Sequence, residues 1–221
     1  LRGVVSERDL FSLQRVDLVH MARTIRSAPR LESLVAMRGE IGQLVDRMLA
    51  HGASSTQITH IITLLNDHTV CRVIELTIEE KGDPGVPFTW LCFGSEGRRE
   101  QTLHTDQDNG LIFLAADEAE AESLRARFLP FAQRVNILLD ACGFSLCQGG
   151  IMAGNPCWCL SLAEWRGRFS DWMRSASAED LLNATIFFDF RALVGDVALA
   201  DSLRGWLLAA AADNALFLRF M

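Results

Sequence analysis

Residues 91–113 read LCFGSEGRREQTLHTDQDNGLIF, and this stretch decides the fold of the middle of the chain. It links two apolar runs, at 88–93 and 109–114, whose length and composition predict β-strands. The polar residues at 95–101 predict a short helix or turn. The loop therefore leaves one predicted strand and enters the next, and its polar residues lie at the two strand ends.

Two aspartates, Asp106 and Asp108, stand where the second predicted strand begins. Since residues i and i+2 of an extended chain point to the same side, both carboxylates should face one way and repel each other. A divalent cation relieves that repulsion, and carboxylates suit Mg²⁺, which also takes phosphate oxygens. Gly94 and Ser95 would supply the phosphate half of such a site, through backbone N–H groups at the start of a turn and the serine hydroxyl.

The same residues also have a purely structural interpretation. Ser95 could be a helix N-cap with Glu96 in the first turn, and Asp106 and Asp108 could be turn formers. The combination is what favours a metal and phosphate site, because Gly-Ser at the end of one strand meets Asp-x-Asp at the start of the next. Arg98 and Arg99 lie on the following turn. One could reach a phosphate and the other pair with Glu96 or Glu100.

Composition narrows the function classes. The chain has 221 residues, is 49% hydrophobic and 22% charged, and is therefore globular. Its net charge of -7 disfavours nucleic acid as a partner, and its single lysine, Lys81, is not part of a phosphate-binding Walker loop. Its six cysteines lie mostly among apolar residues and indicate buried thiols in a reducing, cytoplasmic setting. No apolar run is long enough to predict a membrane segment.

The remaining pattern predicts helices around a small sheet. Helical spacing predicts helices over 30–51 and from Ser54 or Ser55 to Glu80, joined as an antiparallel hairpin. Residues 117–142 predict an amphipathic helix. A third strand is predicted from FSLCQGGIM at 144–152, and further helices at 161–175, 178–193 and 196–220. The predicted fold class is α+β: a small mixed β-sheet core flanked by an N-terminal helical hairpin and C-terminal helices.

The chain divides into four predicted regions at its breaker clusters. GVVSERDL near the front resembles the closing strand and helix of a CBS domain, so we expect a regulatory module upstream. The regions are a CBS remnant at 1–15, a helical linker or hairpin at 16–84, a core at 85–160 and a C-terminal helical region at 161–221. Three tryptophans at intervals of seven predict a core seam, at Trp158, Trp165 and Trp172.

The core motif, GSEGRREQTLHTDQDNGLIF, resembles that of the DUF294 nucleotidyltransferase family. The later stretches MAGNPCW, EWRGRFSDW and FFDFRALVGD resemble the same family. The family is found in predicted signal-transduction proteins behind cyclic-nucleotide-binding and CBS domains. It is similar to the DNA polymerase β-like superfamily, which includes PII-protein uridylyltransferases and glutamine synthetase adenylyltransferases.

The resemblance implies transfer of a nucleoside monophosphate from a nucleoside triphosphate to a protein or small-molecule acceptor. Asp106 and Asp108 would be the catalytic carboxylates and would bind Mg²⁺ or Mn²⁺. The positions matched to the family motif for nucleotide binding or its support are Gly94, Ser95, Arg98, Glu100, Gln101, Thr105 and Asn109. The superfamily resemblance also allows transfer to RNA ends, but the acidic balance and the missing basic stripe disfavour a nucleic-acid partner. No membrane partner is expected, and homodimerisation is left open.

One departure from the superfamily pattern keeps a second function open. The superfamily usually supplies a third carboxylate from a later strand, but the predicted third strand offers Cys147 and Gln148 instead. Asp140 precedes that strand, and Asp189 is expected to pair with Arg191 or another arginine in a packed helix. The alternative function is therefore a non-catalytic nucleotide-sensing or docking module of a signalling protein.

Overall fold

The computed structural model describes the backbone of residues 7–175 and 186–212, and the side chains of residues 17–174 and 186–212. The helices of this part are α1 (Glu7–Arg26), α2 (Leu31–Ala50), α3 (Ser55–Lys81), α4 (Gly94–Gly97), α5 (Glu118–Ala141), α6 (Leu162–Ser175) and α7 (Val197–Ala212). The strands are β1 (Phe88–Cys92), β2 (Asn109–Phe113), β3 (Cys159–Ser161) and β4 (Arg191–Gly195). Helices surrounding one small mixed sheet confirm the predicted α+β class.

The four strands form one sheet in the order β3-β2-β1-β4. Strand β1 pairs antiparallel with both β2 and β4, and β2 pairs parallel with β3. The central pair is in register from Phe88 opposite Phe113 to Cys92 opposite Asn109. Because β1 and β2 run in opposite directions, the end of β1 lies beside the start of β2.

The sheet separates two hydrophobic clusters, as the alternation of side chains along a strand requires. On one face, Trp90 and Leu111 pack with apolar residues of α1, α2, α3 and α5. On the other face, Leu91 and Ile112 pack with α6 and α7. Both central strands are buried along their whole length and are mostly apolar in sequence; the exceptions are Thr89 in β1 and Asn109 and Gly110 at the start of β2.

Helices α2 and α3 begin and end close to their predicted bounds. Ser54 caps α3 in a reciprocal capping box with Gln57, which satisfies two backbone donors at the helix start. Apolar residues of α2 and α3 lie in the same cluster as β1 and β2. The helices therefore share a core with the sheet. Within the described residues, no helix is long and apolar enough to cross a membrane.

The tryptophan seam predicted from the interval of seven is present. Trp165 is fully buried, Trp172 is nearly so, and the half-buried Trp158 stacks against Trp165 with ring centroids 6.1 Å apart. Phe187 packs against Trp158 with centroids 4.4 Å apart. These rings fill the space between α6 and the second face of the sheet.

The prediction of a strand over 144–152 is wrong. Only Ser145 forms a bridge, parallel to Asp106, and the chain then turns. The amide of Gly150 donates to the carbonyl of Cys147 over 3.0 Å, and Gly150 has a φ of 68°, which glycine adopts without strain. The third strand is β3 at Cys159–Ser161, in the segment that follows the Asn155–Pro156 breaker.

The prediction of a helix over 178–193 is wrong at its described end. Residues 191–195 form β4, because the free edge of β1 offers backbone groups that pair with them. The apolar residues of this segment are spaced as in a helix, but pairing with β1 makes residues 191–195 extended. The rest of that predicted helix, at 178–185, lies outside the described residues, as do residues 213–220 of the predicted C-terminal helix.

Candidate functional site

The ends of β1 and β2 bring Gly94 next to Asp108. The amide of Phe93 donates to the carbonyl of Asp108 over 2.9 Å, which extends the strand pairing by one residue. Gly94 has a φ of 52°, and a Cβ placed there would lie 3.2 Å from Oδ2 of Asp108. Glycine is therefore required both by the backbone angle and by the close approach of the carboxylate.

The turn after β1 presents unpaired backbone donors. In α4 the first internal hydrogen bonds come from the amides of Gly97 and Arg98. Among the described residues, the amides of Gly94, Ser95 and Glu96 find no acceptor. Ser95 is half-buried beside them. The turn thus offers three N–H groups and a hydroxyl at the edge of the sheet, next to Asp108.

Three side chains could together hold a divalent cation. One ligand atom each from Asp106, Asp108 and Cys147 lie within 4.8 Å of one another. Asp106 is exposed, while the other two are half-buried, so the group is open to solvent on one side. Burial raises the pKa of Asp108, hydrogen bonding with the Cys147 thiol offsets part of the rise, and the charge of Asp106 adds to it. A divalent cation would relieve the repulsion between the two carboxylates, so this pair fits the kind of ion that the sequence predicts.

Cys147 reaches the aspartates because the segment before it runs alongside theirs. The amide of Gln107 donates to the carbonyl of Ser145 over 2.9 Å, and the amide of Asn109 donates to the carbonyl of Ile151 over 3.1 Å. The turn at 147–150 lies between these two anchors and carries the thiol to the carboxylates. Sequence reasoning noticed Cys147 at the position of a missing carboxylate and gave it no role.

A buried network of amides fixes the backbone on which the aspartates stand. Gln107 lies between Asp106 and Asp108 and points the opposite way, into the core, where its Nε2 donates to the carbonyls of Asn136 and Phe144. Asn136 on α5 donates to Gln107 over 2.8 Å and to Oδ1 of Asn109 over 3.0 Å. Sequence reasoning gave Gln107 no role. In an extended chain, the alternation that puts the side chains of Asp106 and Asp108 on one side also points the side chain of Gln107 to the other side, toward the core.

Glu96 is a buried carboxyl beneath the turn, whereas the sequence predicts a residue of the first helical turn or a partner for an arginine. It accepts a hydrogen bond from the Cys92 thiol over 3.1 Å. Burial raises the pKa of Glu96 to about 7, with smaller upward contributions from Asp67 and Asp108. Around neutral pH this side chain therefore gains or loses a proton close to the two aspartates.

Two arginines near the site, Arg98 and Arg191, form ion pairs. Arg98 pairs with Glu100 over 2.9 Å and with Asp189 over 3.5 Å. Asp189 was expected to pair with Arg191 or another arginine in a packed helix. It does pair with an arginine, Arg98, but from the segment that precedes β4. Arg191 forms a two-bond pair with Asp67 of α3, at 2.8 and 2.9 Å, and also donates to the carbonyl of Glu96.

The remaining motif residues support the loop from within. Gln101 is fully buried and accepts from Asn66 of α3 over 3.3 Å, so it faces the helices rather than the aspartates. Thr105 is nearly buried and donates to the carbonyl of Asp106 over 3.3 Å. Asn109 accepts from Asn136 and from the amide of Ala153. Glu100 is exposed and contacts Arg98 alone among the described side chains.

The sequence also matches the model of a protein family. The family model described as Putative nucleotidyltransferase DUF294 matches residues 39–179, which is more than half of the chain. The chain belongs to the DUF294 family. The match includes α3, the sheet strands β1 to β3 and the whole Asp-Asp-Cys group of this DUF294 chain. Membership supports a nucleotidyltransferase role at this coarse level. None of the curated proteins matches the chain.

Proposed function

We propose that the chain is a divalent-cation-dependent nucleotidyltransferase that moves a nucleoside monophosphate from a nucleoside triphosphate to a protein or small-molecule acceptor. The observation that carries the proposal is the contact between the two halves of the site. Gly94, on the turn with free amides, lies against Asp108 of the carboxylate pair. Family membership supports the same reaction class.

Each half of the site has a distinct task in this proposal. Asp106 and Asp108 would hold Mg²⁺ or Mn²⁺, which when bound neutralises phosphate charge and activates the acceptor hydroxyl. The amides of Gly94 and Ser95 donate to the β and γ phosphate oxygens, and the Ser95 hydroxyl adds a further donor. Arg98 lies on the turn after these amides and pairs with Glu100 and Asp189. In this proposal it would exchange one of these partners for a phosphate oxygen.

The buried residues keep these groups in place. Gln107, Asn109 and Asn136 fix the extended backbone between the two carboxylates, so the carboxylates remain on one side when their charges repel. Gln101 and Thr105 anchor the loop that connects the two strands. Such support of ligating groups raises affinity by keeping the ligands oriented.

The setting of the reaction is part of the same proposal. The CBS-like segment at the front suggests a cytoplasmic signal-transduction protein in which upstream regulatory modules gate the site. The helices between that segment and the sheet contact the site through Asp67 and Arg191, which offers a physical route for such control. The acceptor would carry a hydroxyl that reaches the exposed side of Asp106.

Calorimetric titration with ATP, UTP, CTP and GTP, each with and without Mg²⁺ or Mn²⁺, tests the proposal. We expect cation-dependent binding of at least one nucleotide, and loss of that binding in the double variant Asp106→Asn, Asp108→Asn. The variant Asp201→Asn, at an exposed aspartate of α7, is the matched control and should bind as the unmodified chain does. Unchanged binding in the double variant would overturn the proposal.

One observation favours the second candidate, a nucleotide-sensing or docking module without transfer activity. The position close to the two aspartates is occupied by the thiol of Cys147, where a catalytic third carboxylate would be expected. An acceptor screen that follows pyrophosphate release separates the two functions. Cation-dependent nucleotide binding without pyrophosphate release would favour the sensing module, and release with any acceptor would exclude it.

A further inference from the structure

The Asp-Asp-Cys group contains donors of two chemical kinds. Asp106 and Asp108 offer hard carboxylate oxygens, and Cys147 offers sulfur within 4.8 Å of both. A site for Mg²⁺ is normally built from oxygen alone, because Mg²⁺ binds sulfur poorly and keeps its waters. Thiolate ligands select softer cations such as Zn²⁺. The sulfur therefore bears directly on which cation the site prefers.

The Cys147 sulfur is positioned by the turn that carries it. The amide of Gly150 closes this turn by donating to the carbonyl of Cys147 over 3.0 Å. A Cβ at Gly149 would lie 3.7 Å from the sulfur, which is ordinary van der Waals contact. Ser145 and Ile151 hold the segment to the aspartates on both sides of the turn. Such anchoring keeps a metal ligand oriented.

The number of donors also matches a particular kind of metal site. Catalytic zinc sites use three protein ligands and keep one position for water or substrate. Two carboxylates and one thiolate make three ligands, and the exposed side of Asp106 leaves the remaining position open to solvent and to a phosphate oxygen. A fully enclosed four-ligand site would leave no room for a nucleotide.

We propose that Cys147 is the third ligand of the catalytic cation, together with Asp106 and Asp108, and that the site consequently prefers a thiophilic cation such as Zn²⁺ over Mg²⁺. This inference rests on the proposed function for its catalytic meaning, but the metal site itself can be tested without nucleotide. On binding, the thiol releases its proton to solvent and the thiolate sulfur coordinates the ion.

Titration of the purified chain with Co²⁺, a coloured substitute for Zn²⁺, tests the ligand assignment. The experiment uses a non-thiol reductant, and the readout is the near-ultraviolet thiolate-to-cobalt charge-transfer band, which carboxylate ligands do not produce. We expect the band to saturate at one ion per chain. In Cys147→Ser the band should vanish and Co²⁺ should bind at least about tenfold more weakly, since loss of even an outer partner costs that much.

Two further variants make the outcome specific. Cys157→Ser changes an exposed cysteine outside the group and should leave the band unchanged. Cys147→Asp replaces sulfur by oxygen, and we expect the ratio of Mg²⁺ affinity to Zn²⁺ affinity to rise at least about tenfold. A band that persists in Cys147→Ser, a band lost in Cys157→Ser, or an unchanged affinity ratio in Cys147→Asp would each overturn the inference.

The experiment distinguishes failure of this inference from failure of the proposed function. If Co²⁺ binds without a thiolate band while nucleotide binding still depends on Asp106 and Asp108, the transferase proposal stands and Cys147 is not a ligand. If the thiolate band appears but no nucleotide binds in the presence of any cation, the metal site stands and the transferase proposal fails.

Discussion

Glu96 illustrates how one buried side chain can couple pH to stability. In the folded chain, burial raises the pKa of Glu96 to about 7 from an ordinary value near 4.5. The folded state therefore holds a proton that the unfolded state releases as pH rises from about 4.5 to 7. Because the native state binds more protons than the unfolded state between these pH values, the contribution of Glu96 to the free energy of unfolding falls as pH rises from about 4.5 to 7. Above the pKa of Glu96 in the folded state, that contribution no longer changes.

Replacing the buried carboxyl tests this directly. We expect Glu96→Gln to be more stable than the unmodified chain at pH 8, by on the order of 2 kcal/mol, and to lose the downward slope between pH 5 and 7. Urea unfolding followed by tryptophan fluorescence across this range measures the effect. The exposed control Glu40→Gln should keep the slope of the unmodified chain; an equal slope in Glu96→Gln would contradict the assignment.

Gly94 has a more local role, at the point where the two halves of the site touch. A Cβ at this position meets Asp108 at 3.2 Å, and an alanine would also have to adopt a φ of 52°. The backbone strain alone costs about 1–2 kcal/mol.

We expect Gly94→Ala to fold with reduced stability and to bind a divalent cation at least about tenfold more weakly, because Asp108 must shift. Gly167→Ala, where a Cβ meets nothing within 4 Å, is the matched control; equal cation affinity in the two variants would count against this role of Gly94.

At the scale of elements, α5 determines how the two aspartates are presented. Asn136 projects from α5 and supplies hydrogen bonds to both Gln107 and Asn109, on either side of Asp108. Its oxygen accepts from the amide of Gly154, which leads toward β3. One asparagine thus connects a helix, the strand β2 and the loop that follows the thiol.

Removing that asparagine should affect both stability and the site. In Asn136→Ala, the side-chain oxygen of Gln107 loses its donor and the amide of Gly154 loses its acceptor. We expect a loss of about 1–3 kcal/mol in the free energy of unfolding. Cation affinity should fall as well, because the backbone between the carboxylates loses its anchor. Gln133→Ala removes an exposed amide from the same helix and should change stability by less than about 0.5 kcal/mol. Urea denaturation and metal titration together check both effects; a neutral Asn136→Ala would show that α5 does not hold the strand.

At the scale of the whole molecule, an ion pair ties the N-terminal helices to the site. Asp67 lies on α3, Arg191 opens β4, and the guanidinium also donates to the carbonyl of Glu96 in α4. The two side chains are 19% and 16% exposed. The burial of this ion pair is therefore intermediate between that of a fully buried pair and that of a surface pair. Removing Asp67 would leave a largely desolvated Arg191 without its ion-pair partner.

We expect Asp67→Asn to lower the free energy of unfolding by about 1–3 kcal/mol, less than the penalty for a fully buried pair. The double variant Asp67→Asn, Arg191→Met should recover part of the loss, because no unpaired charge remains. A double-mutant cycle by urea denaturation measures this coupling. Additive effects of the two substitutions would show that the helices and the site are not energetically linked through this pair.

The central strands and the long helices could be predicted because local signals determine them. Strands β1 and β2 are buried on both faces and are mostly apolar in sequence, and α3 carries its capping residues in the sequence. Strand β4 could not be predicted, because the open edge of β1 is what makes Arg191–Gly195 extended. The turn at 147–150 was read as a strand because its apolar flanks outweighed its two glycines.

By itself the sequence determined the Gly-Ser and Asp-x-Asp positions, the strands that carry them and the family motif, since period-two alternation and apolar runs act over a few residues. Only the tertiary structure placed Cys147 beside the aspartates, buried Glu96 and paired Arg191 with Asp67. Each of these depends on contacts between segments far apart in the chain. A residue's own neighbours in sequence do not specify which distant segment will pack against it, and burial and charge pairing follow from that packing.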